Sequence, residues 1–242
     1  MSVNNSTNPE EHKIKDAFTE KDWSEIQSQD SWEIFKAMAE LVEGYDKMAK
    51  IGPSVSIFGS ARTKTDHKYY LMAEEIAAKL VEKGYGVITG GGPGIMEAGN
   101  KGAQSKQGKS IGLNIKLPFE LVPNRYVDVD KSINFDYFFA RKVCFIKYSQ
   151  GFITMPGGFG TMDELFEALT LIQTKKIGRF PIVLVGSAYW TGLFDWIKNV
   201  MCDEEGNINE EDLKLVKIVD TPDEAVAVIT DFYEKYLLKP NF

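Results

Sequence analysis

The chain has few of the residues that metal sites and disulfide frameworks require. Its 242 residues include only two cysteines, Cys144 and Cys202, and two histidines, His12 and His67. Two cysteines so far apart are too few for a disulfide framework and lack the spacing of a metal site, and two histidines make a zinc site unexpected. We therefore expect neither a bound metal nor a disulfide scaffold.

Long apolar runs and an excess of positive charge are also missing. No stretch approaches the roughly 20 apolar residues of a transmembrane helix, and the first six residues are polar, unlike the apolar core of a signal peptide. The net charge of −7 gives no support for a nucleic-acid surface. These absences predict a cytoplasmic protein whose partners include neither a membrane nor a nucleic acid.

Short apolar runs that alternate with amphipathic stretches are what the chain does contain. They predict strands at about 54–58, 85–89, 110–115, 126–130, 151–155, 181–185 and 216–219. Helices are predicted between them at about 67–83, 95–107, 136–149, 161–176, 190–201 and 222–237. Such alternation is typical of an α/β protein, here a single-domain Rossmann-like sandwich with a mostly parallel sheet and helices on both faces.

The chain ahead of the first strand has a different character. Residues 1–30 are polar and charged, and an amphipathic helix then follows, with apolar residues at three- and four-residue spacing: Trp32, Phe35, Met38, Val42, Tyr45 and Met48. We predict that residues 1–50 form an N-terminal extension and that residues 51–242 form the Rossmann-like, nucleotide-binding domain.

Three predicted strands end in turns rich in glycine. The turns begin Gly59-Ser60, Gly90-Gly91-Gly92-Pro93-Gly94 and Pro156-Gly157-Gly158-Phe159-Gly160-Thr161. Ligands of open α/β sheets bind beyond the carboxyl ends of the strands, so we expect the turns to converge on one crevice. Glycine lets the backbone approach a ligand closely, and the free N–H groups at a helix start favour an anion. The pattern predicts a phosphate cradle with the carboxylate of Glu164 beside it.

Each of these residues also has a purely structural interpretation. Thr161 and Glu164 have the spacing of a capping box, in which Thr161 is the N-cap of the helix and Glu164 bonds back to it. Ser60 has the residue type of a helix N-cap, and Met96 that of a core residue. Arg141, on the helix before the cradle, has the residue type of a surface ion pair, although it lies among aromatic residues.

Common nucleotide-binding motifs do not fit. The dinucleotide fingerprint G-x-G-x-x-G fails at its last glycine in both clusters, where Asp163 and Glu97 stand instead. The nearest approach to a Walker A sequence has Asn100 where the motif needs lysine. These mismatches argue against an ordinary NAD site and against a P-loop NTPase.

The motifs Pro156-Gly-Gly-x-Gly-Thr-x-x-Glu164, Gly90-Gly-Gly-x-Gly-Ile-Met-Glu97 and Phe58-Gly-Ser60 together resemble those of the LONELY GUY family. This family consists of nucleoside 5′-monophosphate phosphoribohydrolases, many of which were long labelled lysine decarboxylases. The resemblance runs from about residue 54 to about residue 186, and Arg141-Lys142 matches the family's Arg-Lys pair. The chain departs from the family at Phe138, where methionine is usual, and in a looser motif at residues 112–118.

The resemblance implies hydrolysis of AMP, or of N6-substituted AMP (a cytokinin nucleotide), to free base and ribose 5-phosphate. It implies Glu164 and Arg141 as catalytic residues, no cofactor, and a homo-oligomer, either a dimer or a larger assembly of dimers. Substrate binding is expected of a larger set: Gly59, Ser60, Gly91, Gly92, Met96, Lys142, Gly157, Gly158, Gly160 and Thr161. The reaction chemistry also favours Glu164, because an oxocarbenium-like state at the ribose C1′ needs a nearby negative charge or base.

Two other functions remain open at this point. A nucleotide or cofactor carrier similar to the molybdenum-cofactor carriers would use the glycine amides without needing Glu164 or Arg141. A pyridoxal-phosphate-dependent lysine decarboxylase would match the old label, but no Schiff-base lysine motif is visible in the chain.

Overall fold

The protein forms a seven-stranded sheet in which every pair of neighbouring strands is parallel. The computed structural model describes residues 23–116, 123–235 and 240–241, with backbone alone for 23–30. The strands are β1 Ser54–Phe58, β2 Gly86–Thr89, β3 Ser110–Ile115, β4 Ser132–Phe135, β5 Ser149–Thr154, β6 Ile182–Val185 and β7 Val216–Val219. Their order across the sheet is β4-β3-β2-β1-β5-β6-β7. The predicted Rossmann-like fold class is therefore confirmed.

Helices cover both faces of the sheet. They are α1 Trp23–Ala49, α2 Lys68–Glu82, α3 Ile95–Ser105, α4 Phe138–Tyr148, α5 Phe159–Gln173, α6 Ser187–Trp196, α7 Glu210–Leu213 and α8 Pro222–Tyr233. A π-helical segment, Ile197–Glu204, extends α6. Side chains of α2, α3 and α8 pack on one face of the sheet, and those of α4 and α5 pack on the other. Because both faces are covered, the central strands consist almost wholly of buried residues.

Two compact units make up the structure, one ending at Ala39 and the other beginning at Glu40. The first contains the N-terminal part of α1, where Trp32, Phe35 and Met38 are exposed. The second contains the whole sheet and its covering helices. Residues 1–22 of the predicted extension lie outside the described residues, as do residues 236 and 237 of the last predicted helix. The division of the chain at residues 50 and 51 stays a prediction.

The strand predicted at 126–130 is wrong. This segment is bonded to the first residue of β3, since Ser110 Oγ donates to Tyr126 O at 2.6 Å and Asp128 N donates to Ser110 O at 2.9 Å. A short 3₁₀ helix, Val129–Lys131, follows, and pairing with β3 begins only at Ser132. The alternation of valines was misleading, because Val129 is 95% exposed.

The order of the strands determines where a ligand can bind. The chain adds β2, β3 and β4 on one side of β1 and then β5, β6 and β7 on its other side, so the topological switch point lies between β1 and β5. In doubly wound sheets such a switch point opens a crevice at the carboxyl ends of the strands. None of the helices in the described ranges has both the length and the apolar character needed to cross a membrane.

Candidate active site

Main-chain hydrogen bonds join the three glycine-rich turns beyond β1, β2 and β5. Met155 N donates to Phe58 O at 2.8 Å, and Ser60 N donates to Pro156 O at 3.1 Å. Ile95 N donates to Ser60 O at 3.1 Å. The turn after β1 is thus bonded to the turns on both sides of it. The predicted site segments lie side by side at the switch point of the sheet.

Close packing explains two of the glycines in these turns. A Cβ atom on Gly59 would lie 2.7 Å from side-chain carbons of Ile95, the first residue of α3. Gly94, with φ of +66°, would place a Cβ atom 2.4 Å from Ser60 O. Any larger residue at either position would push the first and second turns apart.

The turn after β5 leads into an open helix N-terminus. Helix α5 begins at Phe159 with Gly158 as its N-cap, and no side chain caps it. The N–H groups of Gly158, Phe159 and Gly160 donate to no acceptor in the described part of the chain. A Cβ atom on Gly158 or Gly160 would meet no atom within 4 Å, so the space beside these two Cα atoms is open. Unpaired amides at the positive end of a helix dipole suit an anion such as phosphate.

The two capping interpretations from the sequence are wrong. Because α5 begins at Phe159, Thr161 is its third residue, and Thr161 N donates to Gly158 O at 3.0 Å. Glu164 therefore lies in the second turn, beyond the reach of a capping box. Helix α2 begins only at Lys68, with His67 as its N-cap, so Ser60 does not cap it. Ser60 Oγ instead accepts from Arg62 N at 3.1 Å.

Glu164 is a buried carboxyl group on the sheet side of α5. The residue is 5% exposed, and its Oε2 atom has no hydrogen-bond partner in the described structure. Burial raises the pKa of Glu164 to about 7, because a carboxylate away from water loses its solvation. The positive charges of Arg141 and Lys142 lower this pKa, but they only partly offset the effect of burial. A carboxyl group with this pKa exchanges protons near neutral pH.

Arg141 extends from α4 to the turn after β2. A Cβ atom on Gly90 would lie 2.7 Å from Arg141 Nη2 and 2.7 Å from Met96 Sδ, so the two side chains meet at this glycine. The guanidinium also lies over the ring of Phe145, with Cζ 5.3 Å from the ring centroid. Arg141 is thus half-buried beside the crevice, unlike the solvated surface arginine of the alternative interpretation.

Lys142 connects α4 to α5 through two ion pairs. Its Nζ lies 2.8 Å from Asp163 Oδ1 and 2.9 Å from Glu167 Oε2. Burial opposes the charge on Lys142, but the two carboxylates together raise its pKa. The residue lines an open groove along α5, outside the three turns. Its predicted contact with substrate stays a prediction.

Asparagine side chains that the sequence analysis overlooked support the turn after β2. Gly91 has φ of +73°, and a Cβ atom there would lie 1.8 Å from Asn114 Oδ1. Asn124 Nδ2 donates to Gly91 O at 3.1 Å, to Gly92 O at 2.9 Å and to Asn100 Oδ1 at 2.9 Å. No motif or spacing in the sequence marks Asn124, because it approaches the turn from 32 residues away.

A second overlooked residue is Tyr189, whose hydroxyl donates to Gly157 O at 2.6 Å. Gly157 has no room for a side chain, since a Cβ atom there would lie 2.1 Å from Thr161 Oγ1. As to metals, the described residues contain no group of three or more His, Cys, Asp or Glu side chains placed to hold an ion. The groups that the structure brings together at the crevice are main-chain amides, the Glu164 carboxyl group and the Arg141 guanidinium.

Comparisons with known proteins place the chain in a family. The model of a family described as "Possible lysine decarboxylase" matches residues 96–229. An uncharacterized protein from Archaeoglobus fulgidus is 33% identical over 124 residues, which cover 50% of this chain and 78% of that protein. A cytokinin riboside 5′-monophosphate phosphoribohydrolase from Mycobacterium tuberculosis is 28% identical over 170 residues, covering 69% of this chain and 88% of that enzyme.

Solved structures extend the comparison to the fold. The molybdenum cofactor carrier protein from Chlamydomonas reinhardtii superposes with a TM-score of 0.56 over 76% of this chain and 99% of that one. Sequence identity between the two is 22%, so the likeness shows a shared fold and nothing about a shared ligand.

Proposed function

Since the chain belongs to the family described as "Possible lysine decarboxylase", that of the LONELY GUY proteins, we propose that it hydrolyses nucleoside 5′-monophosphates to free base and ribose 5-phosphate. AMP or N6-substituted AMP is the proposed substrate, and the name of the mycobacterial relative, which specifies a cytokinin riboside 5′-monophosphate, supports the second of these. The observation that carries the proposal is Glu164, a buried carboxyl group with an unpaired oxygen, one helical turn beyond an open anion site.

In the proposed mechanism, the phosphate of the substrate lies at the start of α5 and its ribose lies near Glu164, in the second turn of the same helix. The 5′-phosphate binds the amides of Gly158, Phe159 and Gly160, which places the ribose toward Glu164. As the bond from C1′ to the base nitrogen breaks, positive charge develops on the ribose, and the Glu164 carboxylate stabilises it. Glu164 then accepts a proton from the water whose oxygen bonds to C1′. Arg141 stabilises the negative charge that develops on the departing base. The base nitrogen then takes up a proton as Glu164 releases the one it accepted from water, so the free base forms and the carboxylate is restored.

The family label prompts a test of pyridoxal phosphate chemistry, and the residues do not fit it. A Schiff-base lysine must be able to lose its proton, which usually requires an apolar or positively charged environment. Lys142 is the lysine whose positive charge lowers the pKa of Glu164. It lies between two carboxylates, which raise its own pKa. We therefore derive no step that uses this cofactor.

The first test compares substrates with and without phosphate. We expect kcat/KM for AMP to exceed that for adenosine by at least about a hundredfold, because binding of a remote phosphate lowers the barrier at C1′. Chromatographic detection of adenine from both compounds under the same conditions measures the ratio. Similar values for AMP and adenosine would contradict phosphate binding at the start of α5.

The second test distinguishes a catalyst from a carrier. Glu164→Gln should lower kcat by roughly two orders of magnitude or more, the usual scale for losing a positioned acid or base, with little change in AMP affinity. Asp163→Asn is the matched control, since Asp163 is a neighbouring but exposed acid on the same helix, and we expect it to retain most of the activity. Near-normal turnover in Glu164→Gln would contradict the catalytic role of Glu164, whereas an unmodified protein that binds AMP without cleaving it would favour a carrier, which needs only the amides.

A further inference from the structure

We propose that Tyr189 is a positioning residue that orients a phosphate-binding amide of the turn after β5. Its hydroxyl donates to Gly157 O at 2.6 Å. The proposal rests on the proposed function, because it assigns a role within the same anion site. It adds a residue from α6, an element that neither the glycine motifs nor the catalytic pair includes.

The geometry of the peptide bond links Tyr189 to the anion site. A peptide unit is planar and trans, so its C=O and N–H groups point in opposite directions. When Tyr189 holds the carbonyl of Gly157, the N–H of Gly158 must point the other way, toward the open side of the turn. Gly158 is the N-cap of α5, and its N–H has no acceptor among the residues described. The hydroxyl thereby determines the direction of the first amide of the cradle.

Residues around Tyr189 fix the position of its hydroxyl. Trp190 is fully buried, and its Nε1 donates to Val185 O at 3.2 Å. The Trp190 ring contacts the Tyr189 ring edge-on, with centroids 5.0 Å apart. Tyr189 N donates to Gly186 O at 3.0 Å, in a turn where Gly186 has φ of +101°. Tyr189 itself is 43% exposed. Its backbone is thus held in place while its side chain extends along the surface to the turn after β5.

Preorganisation is the physical benefit of this contact. Without the hydroxyl, the peptide unit between Gly157 and Gly158 is free to rotate, since neither glycine restricts it as a side chain would. Phosphate must then pay the entropy of ordering the peptide when it binds. Losing a hydrogen bond to a charged group weakens binding by about 10- to 150-fold, and a donor that is only misoriented loses part of this, so we expect about 5- to 30-fold.

The test is the variant Tyr189→Phe, which removes the hydroxyl and keeps the ring. Titration calorimetry should show 5- to 30-fold weaker binding of AMP and ribose 5-phosphate and unchanged binding of adenosine, with KM for AMP rising more than kcat falls. Tyr69→Phe is the matched control. The Tyr69 ring lies against Gly186, the N-cap of the helix that carries Tyr189, and the Tyr69 hydroxyl bonds to no described residue. This variant should therefore bind AMP, ribose 5-phosphate and adenosine like the unmodified protein.

The outcomes separate this proposal from the proposed function. If the unmodified protein prefers AMP to adenosine and Tyr189→Phe keeps that preference in full, the role of Tyr189 is refuted and the function stands. An equal loss of affinity for adenosine also refutes it, because the hydroxyl would then act on the whole crevice rather than on phosphate. If the unmodified protein binds neither AMP nor ribose 5-phosphate, the proposed function itself fails.

Discussion

A carboxyl group enclosed by protein loses the water that would solvate its charge, and Glu164 is in this position. At 5% exposure and with one oxygen unpaired, it costs the folded state stability whenever it is ionised. Nothing in the packing of α5 requires a glutamate there, since its buried neighbours Leu165 and Ala168 are apolar. A residue that reduces stability in this way is typical of a functional site.

Stability at different pH values should reveal this cost. Folded Glu164 keeps its proton to about pH 7, whereas an unfolded glutamate loses it near 4.5, so the folded state binds more protons between these values. The stability that Glu164 contributes is thus fully present below pH 4.5 and is lost as pH rises through about 7. A shift of this size corresponds to roughly 3 kcal/mol.

Glu164→Gln removes this titration. We expect the variant to gain stability relative to the unmodified protein as pH rises from 5 to 8, by up to roughly 3 kcal/mol. Urea unfolding of both proteins across this range measures the difference, and Asp163→Asn, at an exposed position, should show no comparable trend. Parallel stability curves for Glu164→Gln and the unmodified protein would mean that Glu164 does not have a raised pKa.

At the scale of secondary-structure elements, the turn after β2 depends on polar contacts from other parts of the chain. The carbonyl groups of Gly91 and Gly92 point to Asn124, which also bonds to the fully buried Asn100. Thr89 completes this network, since its hydroxyl donates to Asn100 Oδ1 at 2.6 Å and accepts from Gly91 N at 3.0 Å. A buried network of this kind is rigid when every member is satisfied and costly when one donor is lost.

Asn124→Asp tests this network by replacing a donor with an acceptor. A carboxylate would face two carbonyl oxygens and Asn100 Oδ1, so we expect a loss of about 2–4 kcal/mol in the free energy of unfolding. The matched control is Asn134→Asp. Asn134 Oδ1 accepts from Asn114 Nδ2 at 3.0 Å, and aspartate keeps that acceptor, so we expect a change of about 0.5 kcal/mol or less. Equal changes in the two variants would contradict a specific role for Asn124.

At this scale, features that depend on neighbouring residues could be predicted from the sequence, and features that depend on contacts between distant segments could not. Glycine clusters after apolar runs are local patterns, and they located the turns correctly. The start of α5 at Phe159 was missed because Gly158, and not Thr161, has the extended backbone of the N-cap, which the Thr161 and Glu164 spacing does not indicate. Contacts from Asn124 and Tyr189 join segments about 32 residues apart, and no single-sequence pattern encodes them.

For the whole molecule, strand and helix alternation was enough to predict a parallel α/β sandwich, but not the order of its strands. The central position of β1 requires pairing with β5, whose residues lie more than ninety positions further along the chain, as in the bond between Ser56 Oγ and Ser149 Oγ. Such pairing depends on the packing of both faces at once. Helix α4 likewise buries one side on the sheet and leaves Phe138 and Phe139 about half exposed.

We propose that these exposed aromatic residues lie in a contact between copies of the chain, with α1 as a second contact surface. Phe138 is 52% and Phe139 54% exposed, and exposed apolar clusters of this kind mark association surfaces. Light scattering coupled to gel filtration should find a dimer or a larger assembly at micromolar concentration. Changing both residues to serine should favour the monomer and reduce activity, because Arg141 lies on the same helix.

Leu71→Ser is the control for this experiment. Leu71 is 54% exposed on α2, on the other face of the sheet, and its loss should leave the assembly unchanged. A monomeric, fully active unmodified protein would contradict the proposed association.

The main-chain bonds that tie the three turns together have a consequence for redesign. Bonds such as Ser60 N to Pro156 O and Ile95 N to Ser60 O involve no side chain, so most replacements at Ser60 leave them intact. An added or deleted residue in any of the three turns, by contrast, shifts the register of these bonds and separates the turns. A library that varies Ser60 at fixed loop length and keeps the tightly packed glycines therefore retains the scaffold, whereas a library that varies loop length separates the turns.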